Sequence, residues 1–263
     1  MTKIEAAKAA SPEVAPAWSH ADLANQNPHE AADKARRVEA MFNAIAKSYD
    51  LNNRVHSMGQ DQGWRRAAVK MAQVKAGDRV LDCACGTGDL SFAFADAKAQ
   101  VTGLDFTAGM LEVAKEKAKA CAKEDWKAVT FIQGDAMALP FENASFDVVS
   151  IAFGIRNVSD PAKAFAEFHR VLKPGGRLVV LEFSEPQNGF LKWAYGFYFK
   201  HVMPRTAALI ARDTSGAYKY LPRSVQTFLS RAGMVKMYEA AGFKGVAQRA
   251  LTFGIAVAYA GTK

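Results

Sequence analysis

The stretch Val80-Leu81-Asp82-Cys83-Ala84-Cys85-Gly86-Thr87-Gly88-Asp89-Leu90 runs an apolar segment into a glycine loop and then into a helix. Gly86 and Gly88 permit a sharp turn and the close approach of a ligand. The helix start beyond them offers unpaired amide donors. Twenty-three positions after Asp82, Asp105 closes the next apolar segment, where a carboxylate can accept hydrogen bonds from both hydroxyls of a ribose. Gly134-Asp135-Ala136 follows the third such segment, where an acid or an amide can meet an adenine amine. Three acids at three successive segment ends make one nucleoside site.

Two features separate the candidate ligands. A dinucleotide loop wants G-x-G-x-x-G, and here Ser91 stands where the third glycine would be. S-adenosylmethionine has no pyrophosphate but carries an amino-acid head, whose ammonium group Asp82 could help to receive. The expected cofactor site is therefore built on Asp82, Gly86, Gly88, Asp105 and Asp135, holding S-adenosylmethionine. A nicotinamide dehydrogenase is the more distant reading. Cys83 and Cys85 are too closely spaced for the usual zinc pair, and no His cluster completes a metal site.

The elements that must position these groups alternate. Strands are expected at 79–83, 100–105, 129–132, 146–152 and 177–183, with helices from about Gly88 to Ala97, from Ala108 to Lys123 with Thr107 as N-cap, and after Asp160-Pro161. Such alternation predicts a doubly wound, mostly parallel α/β sheet. A last helix over 232–241 ends at Gly242, and two further strands, 244–249 and 252–260, close the sheet as an antiparallel pair, giving seven strands. Residues 184–230 break the rhythm and read as an inserted helical cap. Residues 1–35 read as a flexible tail and 36–263 as one domain, with a helix starting near Asp33 that repeats Val38, Met41, Phe42 and Ile45 at helical spacing.

Composition narrows the setting. No run approaches the roughly 20 apolar residues of a membrane span, and three cysteines suit a reducing, cytoplasmic compartment rather than a disulfide framework. The net charge is +8, and Lys192 to Arg249 holds ten basic residues against Asp213 and Glu239 alone. Such a segment attracts nucleic acid, an anionic lipid face or an acidic substrate, or serves solubility.

With these residues in view, the chain resembles the ubiquinone/menaquinone biosynthesis C-methyltransferase family, from about Val38 to the C-terminus. Arg170-Val171-Leu172-Lys173-Pro174-Gly175-Gly176-Arg177-Leu178-Val179-Val180-Leu181-Glu182-Phe183-Ser184 fits one family signature, Phe153-Gly154-Ile155-Arg156-Asn157-Val158 another, and Leu139-Pro140-Phe141 is usual there. Tyr49, Asp50, Asn53, Ser57 and Trp64 match an N-terminal signature. Asn52, His56, Asp61 and Ala152 stand where the family more often has Met, an aliphatic residue, His and Ser.

The resemblance implies a Rossmann-like class I methyltransferase fold and C-methylation of a polyprenylated quinol, demethylmenaquinol or the benzoquinol of the ubiquinone pathway. It implies cofactor contacts at Thr87, Asp105, Asp135 and Ala136, with Arg156 and Asn157 facing the quinol. An aromatic carbon becomes nucleophilic when a neighbouring hydroxyl ionises. A permanently charged Arg156 would stabilise that oxyanion, with water carrying the proton, Asn157 holding the water or a quinol oxygen, and Tyr49 nearby. His201 reads as a surface residue. Phe190, Trp193, Tyr195, Phe197, Tyr198 and Phe199 suggest a trough for the tail, with the basic cap resting on an anionic membrane face. A homodimer is compatible with this reading. Methylation of RNA, for which the chain shows no binding appendage, and a non-catalytic scaffold of a quinone-synthesis complex are the alternatives.

Overall fold

The computed structural model describes residues 16–203, 205–206 and 215–263. Seven strands form one sheet: β1 (Arg79–Cys83), β2 (Gln100–Asp105), β3 (Thr130–Gln133), β4 (Phe146–Ala152), β5 (Leu172–Phe183), β6 (Lys244–Leu251) and β7 (Ala256–Thr262). Their order is β3-β2-β1-β4-β5-β7-β6. The first five are parallel, and β7 runs antiparallel to both β5 and β6. The expected strands all form, but β5 begins five residues early, at Leu172, and β7 begins only at Ala256, because Thr252–Gly254 forms a 3-10 turn.

The helices are α1 (His20–Asn25), α2 (Lys34–Ile45), α3 (Tyr49–His56), α4 (Gln60–Ala72), α5 (Asp89–Asp96), α6 (Ala108–Ala120), α7 (Glu124–Lys127), α8 (Pro161–Val171), α9 (Gly189–Phe197), which passes into a π-helical turn (Tyr198–Val202), α10 (Ala217–Thr227) and α11 (Arg231–Ala240). Both faces of the central strands are buried, as parallel strands require. Val80, Val148, Val179 and Leu181 pack with Phe92, Phe94 and Trp64 on one side. Leu81, Val149, Ile151 and Val180 pack with Phe165, Phe168 and Tyr238 on the other. Each such side chain contributes about 1.5–3 kcal/mol by leaving water. The sheet is thus a rigid block whose strand ends can hold functional groups.

Three local expectations change. Thr107 does precede α6, but its hydroxyl caps nothing; its amide instead donates to Asp105. α6 stops at Ala120, where Cys121 turns extended. The expected tail is folded from Ala17 onward, while residues 1–15 lie outside the described residues. Ser19 and Asp22 form a reciprocal capping box on α1. Trp18 is buried, stacks on Tyr220 of α10 at 4.9 Å, and donates its amide to the Ser215 carbonyl. Gly216 is left-handed there (φ +85°), and a Cβ on it would fall 2.2 Å from the Trp18 carbonyl oxygen. With Met41, Ile45 and Met110 these residues make a third core, which joins the N-terminus to the cap.

Candidate active site

β1 ends at Cys83, and the chain turns through Ala84, Gly86 and Gly88, all with positive φ, before α5 begins. A Cβ on Gly88 would lie 2.9 Å from the Phe92 ring and 3.0 Å from that of Phe131, so only glycine lets the loop sit this low over the sheet. The Gly86 amide donates to Asp105 Oδ2 and the Thr107 amide to Oδ1, each at 2.8 Å. This carboxylate is buried at the end of β2. Burial raises its pKa, against the pull of the two amides. Asp135 lies across the same cleft, one oxygen accepting the Met137 amide at 2.8 Å, and Ala136, Leu104, Met110 and Phe42 give the cleft apolar walls.

Beyond Gly86 the cleft adjoins a small recess lined by Asp82, Thr87, Asp89, Arg65 and Tyr49. Asp82 is almost wholly buried, and its oxygens accept from Ser91 Oγ (2.6 Å) and Ser150 Oγ (2.8 Å). Burial pushes its pKa up to about 6, with the two hydroxyls opposing. Arg65, also buried, on α4, pairs with Asp61 at 2.8 Å. A carboxylate on one side and a guanidinium on the other complement a zwitterionic amino-acid head. Thr87 Oγ1 donates to Asp50 at 2.5 Å, and Lys117 bridges Asp50 (2.7 Å) and Asp89 (2.5 Å). Burial would raise the Asp89 pKa, but the charges of Arg65, Lys117 and Arg54 outweigh it and lower it.

On the far side of Tyr49 a chamber of about 340 Å³ opens between α3, α4, α9 and α10. Trp64, Phe153, Phe183, Leu191, Phe199 and Ile255 make it mainly apolar. Tyr49 lines cleft, recess and chamber alike. Burial raises the pKa of its hydroxyl, so the group stays protonated.

Arg156 is placed differently from expectation. Its Nη1 donates to Glu182 Oε1 and to the Phe153 carbonyl, both at 2.6 Å, and the guanidinium borders neither cleft nor chamber. Its charge is matched by Glu182, itself buried at the end of β5. Asn157 lines the cleft of Asp105 and Asp135; its Nδ2 reaches the Phe153 carbonyl (3.3 Å), and its Oδ1 accepts from Tyr220 (3.0 Å). His201 is exposed on the outer face of the cap.

Residues 30–263 match the ubiE/COQ5 methyltransferase family. The chain belongs to this family. It is 46% identical to a demethylmenaquinone methyltransferase of Deinococcus radiodurans (88% of this chain, 94% of that one) and 47% identical to one of Thermus thermophilus (85% and 100%). It is also 43% identical to a ubiquinone/menaquinone biosynthesis C-methyltransferase of a Geobacter species (88% and 98%). A solved S-adenosylmethionine-dependent methyltransferase of Thermotoga maritima shares the fold, with a TM-score of 0.60 at 20% identity over 85% of this chain and 99% of that one.

In this methyltransferase, Gly86, Asp105, Asp135 and Ala136 come together around one cleft, with Asp82 and Thr87 in the adjoining recess, whereas Gly88 lines neither and serves the turn beneath them. Sequence reasoning missed Arg65 and Glu182. Arg65 announces itself only as the partner of Asp61 one helical turn earlier. Glu182 is the one acid in a run of apolar strand residues, Leu178 to Phe183, and such an acid needs a buried partner.

Proposed function

We propose that the chain binds S-adenosylmethionine in this cleft and recess and methylates a ring carbon of a prenylated quinol held in the chamber. The observation that carries the reading is the shared wall at Tyr49: one side faces a nucleoside-shaped cleft, the other an apolar space suited to a ring and the start of an isoprenoid tail. The names of the relatives, which refer to demethylmenaquinone and to ubiquinone/menaquinone synthesis, supply the substrate class.

The cofactor, when bound, supplies an electrophilic methyl on a sulfonium. The residues present fit it: Asp105 for the ribose, Asp135 and the Ala136 segment for the adenine, Asp82 and Arg65 for the amino-acid head. Thr87 supports the head through Asp50. Water takes the proton of a quinol hydroxyl, and the oxyanion so formed raises electron density on the adjacent ring carbon. Tyr49, kept protonated, donates a hydrogen bond that stabilises this oxyanion, and the ring carbon gives up its own proton to water after the methyl has arrived. Apolar walls exclude water and hold the ring in one orientation, an effect worth up to about 7–11 kcal/mol in well-aligned systems. Arg156 acts behind this surface. With Glu182 it pins the Phe153 carbonyl, and so the turn that carries Phe153 and Asn157 to the two cavities.

α9 links the chamber to a membrane. Leu191, Ala194, Tyr195 and Tyr198 face the chamber, whereas Phe190, Trp193 and Phe197 are 73%, 68% and 55% exposed and form a ring stripe along the opposite side. Lys192, Arg205, Lys219 and Arg223 border the neighbouring groove. This suits an element resting on an anionic lipid face while a tail passes beneath it.

The deciding experiment is anaerobic incubation of the purified chain with S-adenosylmethionine and demethylmenaquinol, or the corresponding benzoquinol, followed by mass spectrometry. A product one methyl heavier is expected. No product from either ring, and an unchanged quinone profile in cells lacking the protein, would end the reading.

A further inference from the structure

α3 turns a polar stripe into an apolar chamber. Tyr49, Asn52, Asn53 and His56 are spaced 0, 3, 4 and 7, so they share one helix face, and all four line the cavity opposite Trp64, Phe183 and Leu191. Two buried atoms on this stripe lack partners among the described residues: Asn52 Oδ1 and His56 Nε2. Asn52 is 1% exposed. Buried polar atoms are nearly always hydrogen-bonded, and two orphans in one cavity point to a ligand that completes them.

The chemistry of the two atoms says what kind of ligand. Asn52 Nδ2 donates to the Ser48 carbonyl at 3.1 Å. Turning the amide over would set two acceptors against each other, so the orientation is fixed, and the atom left without a partner, Oδ1, is purely an acceptor. Only a donor completes it. His56 holds Tyr198 Oη at 2.9 Å through Nδ1, which commits one ring nitrogen and leaves Nε2 without a partner among the described residues. Burial lowers the His56 pKa, so the ring is neutral near pH 7 and Nε2 can pair with a hydroxyl. Asn52 and His56 lie one turn apart, about 6 Å along the helix, a span comparable to that between the two oxygens on opposite sides of a quinol ring.

We propose that Asn52 and His56 read the oxidation state of the substrate ring, admitting the hydroquinol and rejecting the quinone. This rests on the quinol reading above and names the residues that enforce it. A hydroquinol brings a hydroxyl donor to Asn52 Oδ1. A quinone brings a carbonyl, which leaves two acceptors facing each other without a proton and Asn52 desolvated and unpaired. The same side chains thus hold back the oxidised ring, whose carbons are too electron-poor to attack a sulfonium.

The test is anaerobic calorimetric titration of the full chain, saturated with S-adenosylhomocysteine, with a naphthoquinol bearing a single prenyl unit and with the matching naphthoquinone. The wild type is expected to prefer the quinol by about tenfold, the loss typical of one unmade hydrogen bond. Asn52→Leu should bring the ratio close to one while S-adenosylhomocysteine binds as before. His56→Phe should weaken quinol binding with the Asn52 discrimination retained. If Asn52→Leu disturbs S-adenosylhomocysteine binding, Asn52→Ser carries the same comparison. A wild-type protein that binds both forms equally, or a preference untouched in the Asn52 variants, overturns the proposal. Failure of both ring forms to bind the wild type would instead overturn the quinol reading itself.

Discussion

The Thr87 hydroxyl donates to Asp50 at 2.5 Å, tying the glycine loop at the end of β1 to the helix that walls the chamber. Asp50 is the neighbour of Tyr49 in the chain, so one bond couples the loop beside the cleft to the residue that lines both cavities. Lys117 makes the junction three-sided by holding Asp50 and Asp89 together. A shift of α3 when the chamber fills is therefore felt at Thr87, and the reverse holds.

Asp105→Asn tests the ribose contact. The amide keeps one acceptor for the Gly86 or Thr107 amide but loses the charge and half of the acceptors. S-adenosylhomocysteine binding should weaken about 10- to 100-fold by calorimetry, the loss expected for hydrogen bonds to a charged group. Binding of wild-type strength would remove Asp105 from the site.

Arg156→Ala leaves Glu182 charged and alone in the core, and urea denaturation should show a loss of about 3–5 kcal/mol. Replacing both partners with Leu should recover most of that loss. An Arg156→Ala variant of normal stability that has lost all turnover would return the guanidinium to the reaction and reject the positioning role.

Asp82 makes stability depend on pH with a defined sign. Its folded pKa of about 6 lies above the unfolded value of 3.8, so the folded state holds the proton more tightly. Stability from this group is full below pH 3.8 and is lost as pH rises through 6. The advantage of Asp82→Asn over the wild type should grow between about pH 4 and pH 6 and level off above. In addition, S-adenosylhomocysteine brings an ammonium group, so binding near pH 6 should release a proton in the wild type and none in Asp82→Asn. Calorimetry in buffers of different ionisation enthalpy measures this.

Trp193→Ser together with Phe197→Ser removes two of the three rings of the outward aromatic stripe without touching the chamber face of α9. Co-sedimentation with vesicles rich in anionic lipid should fall sharply, and added salt should weaken what remains. Equal sedimentation of variant and wild type would dismiss the membrane contact.

The sheet and the glycine loop are legible because their signals are local: apolar runs of strand length, glycines at a fixed spacing, an acid closing each run. Asp105 and Asp135 can be placed because strand ends bring them together whatever the details of packing. Arg156 can be found but not oriented, since its partner Glu182 lies 26 residues away and only pairing of β4 with β5 unites them. The N-terminal segment misleads for a similar reason. Trp18 sits in an alanine- and proline-rich stretch with no apolar period, and its burial depends on Tyr220, far along the chain. Of the six cap aromatics expected to form a trough, Tyr195, Tyr198 and Phe199 line the chamber whereas Phe190, Trp193 and Phe197 face outward on the other side of α9, and the inward polar stripe of α3 cannot be told in the sequence from a solvated face.

That Trp18 contact changes where the working molecule starts. The family match begins at residue 30, yet the ceiling over the chamber is stitched down by residues before it. A protein trimmed to the match would leave one face of Tyr220 wet and its hydrogen bond to Asn157 unsupported. Such a molecule should lose definition where Asn157 borders the cleft and where α10 borders the chamber, so the amino-terminal segment counts as active-site architecture.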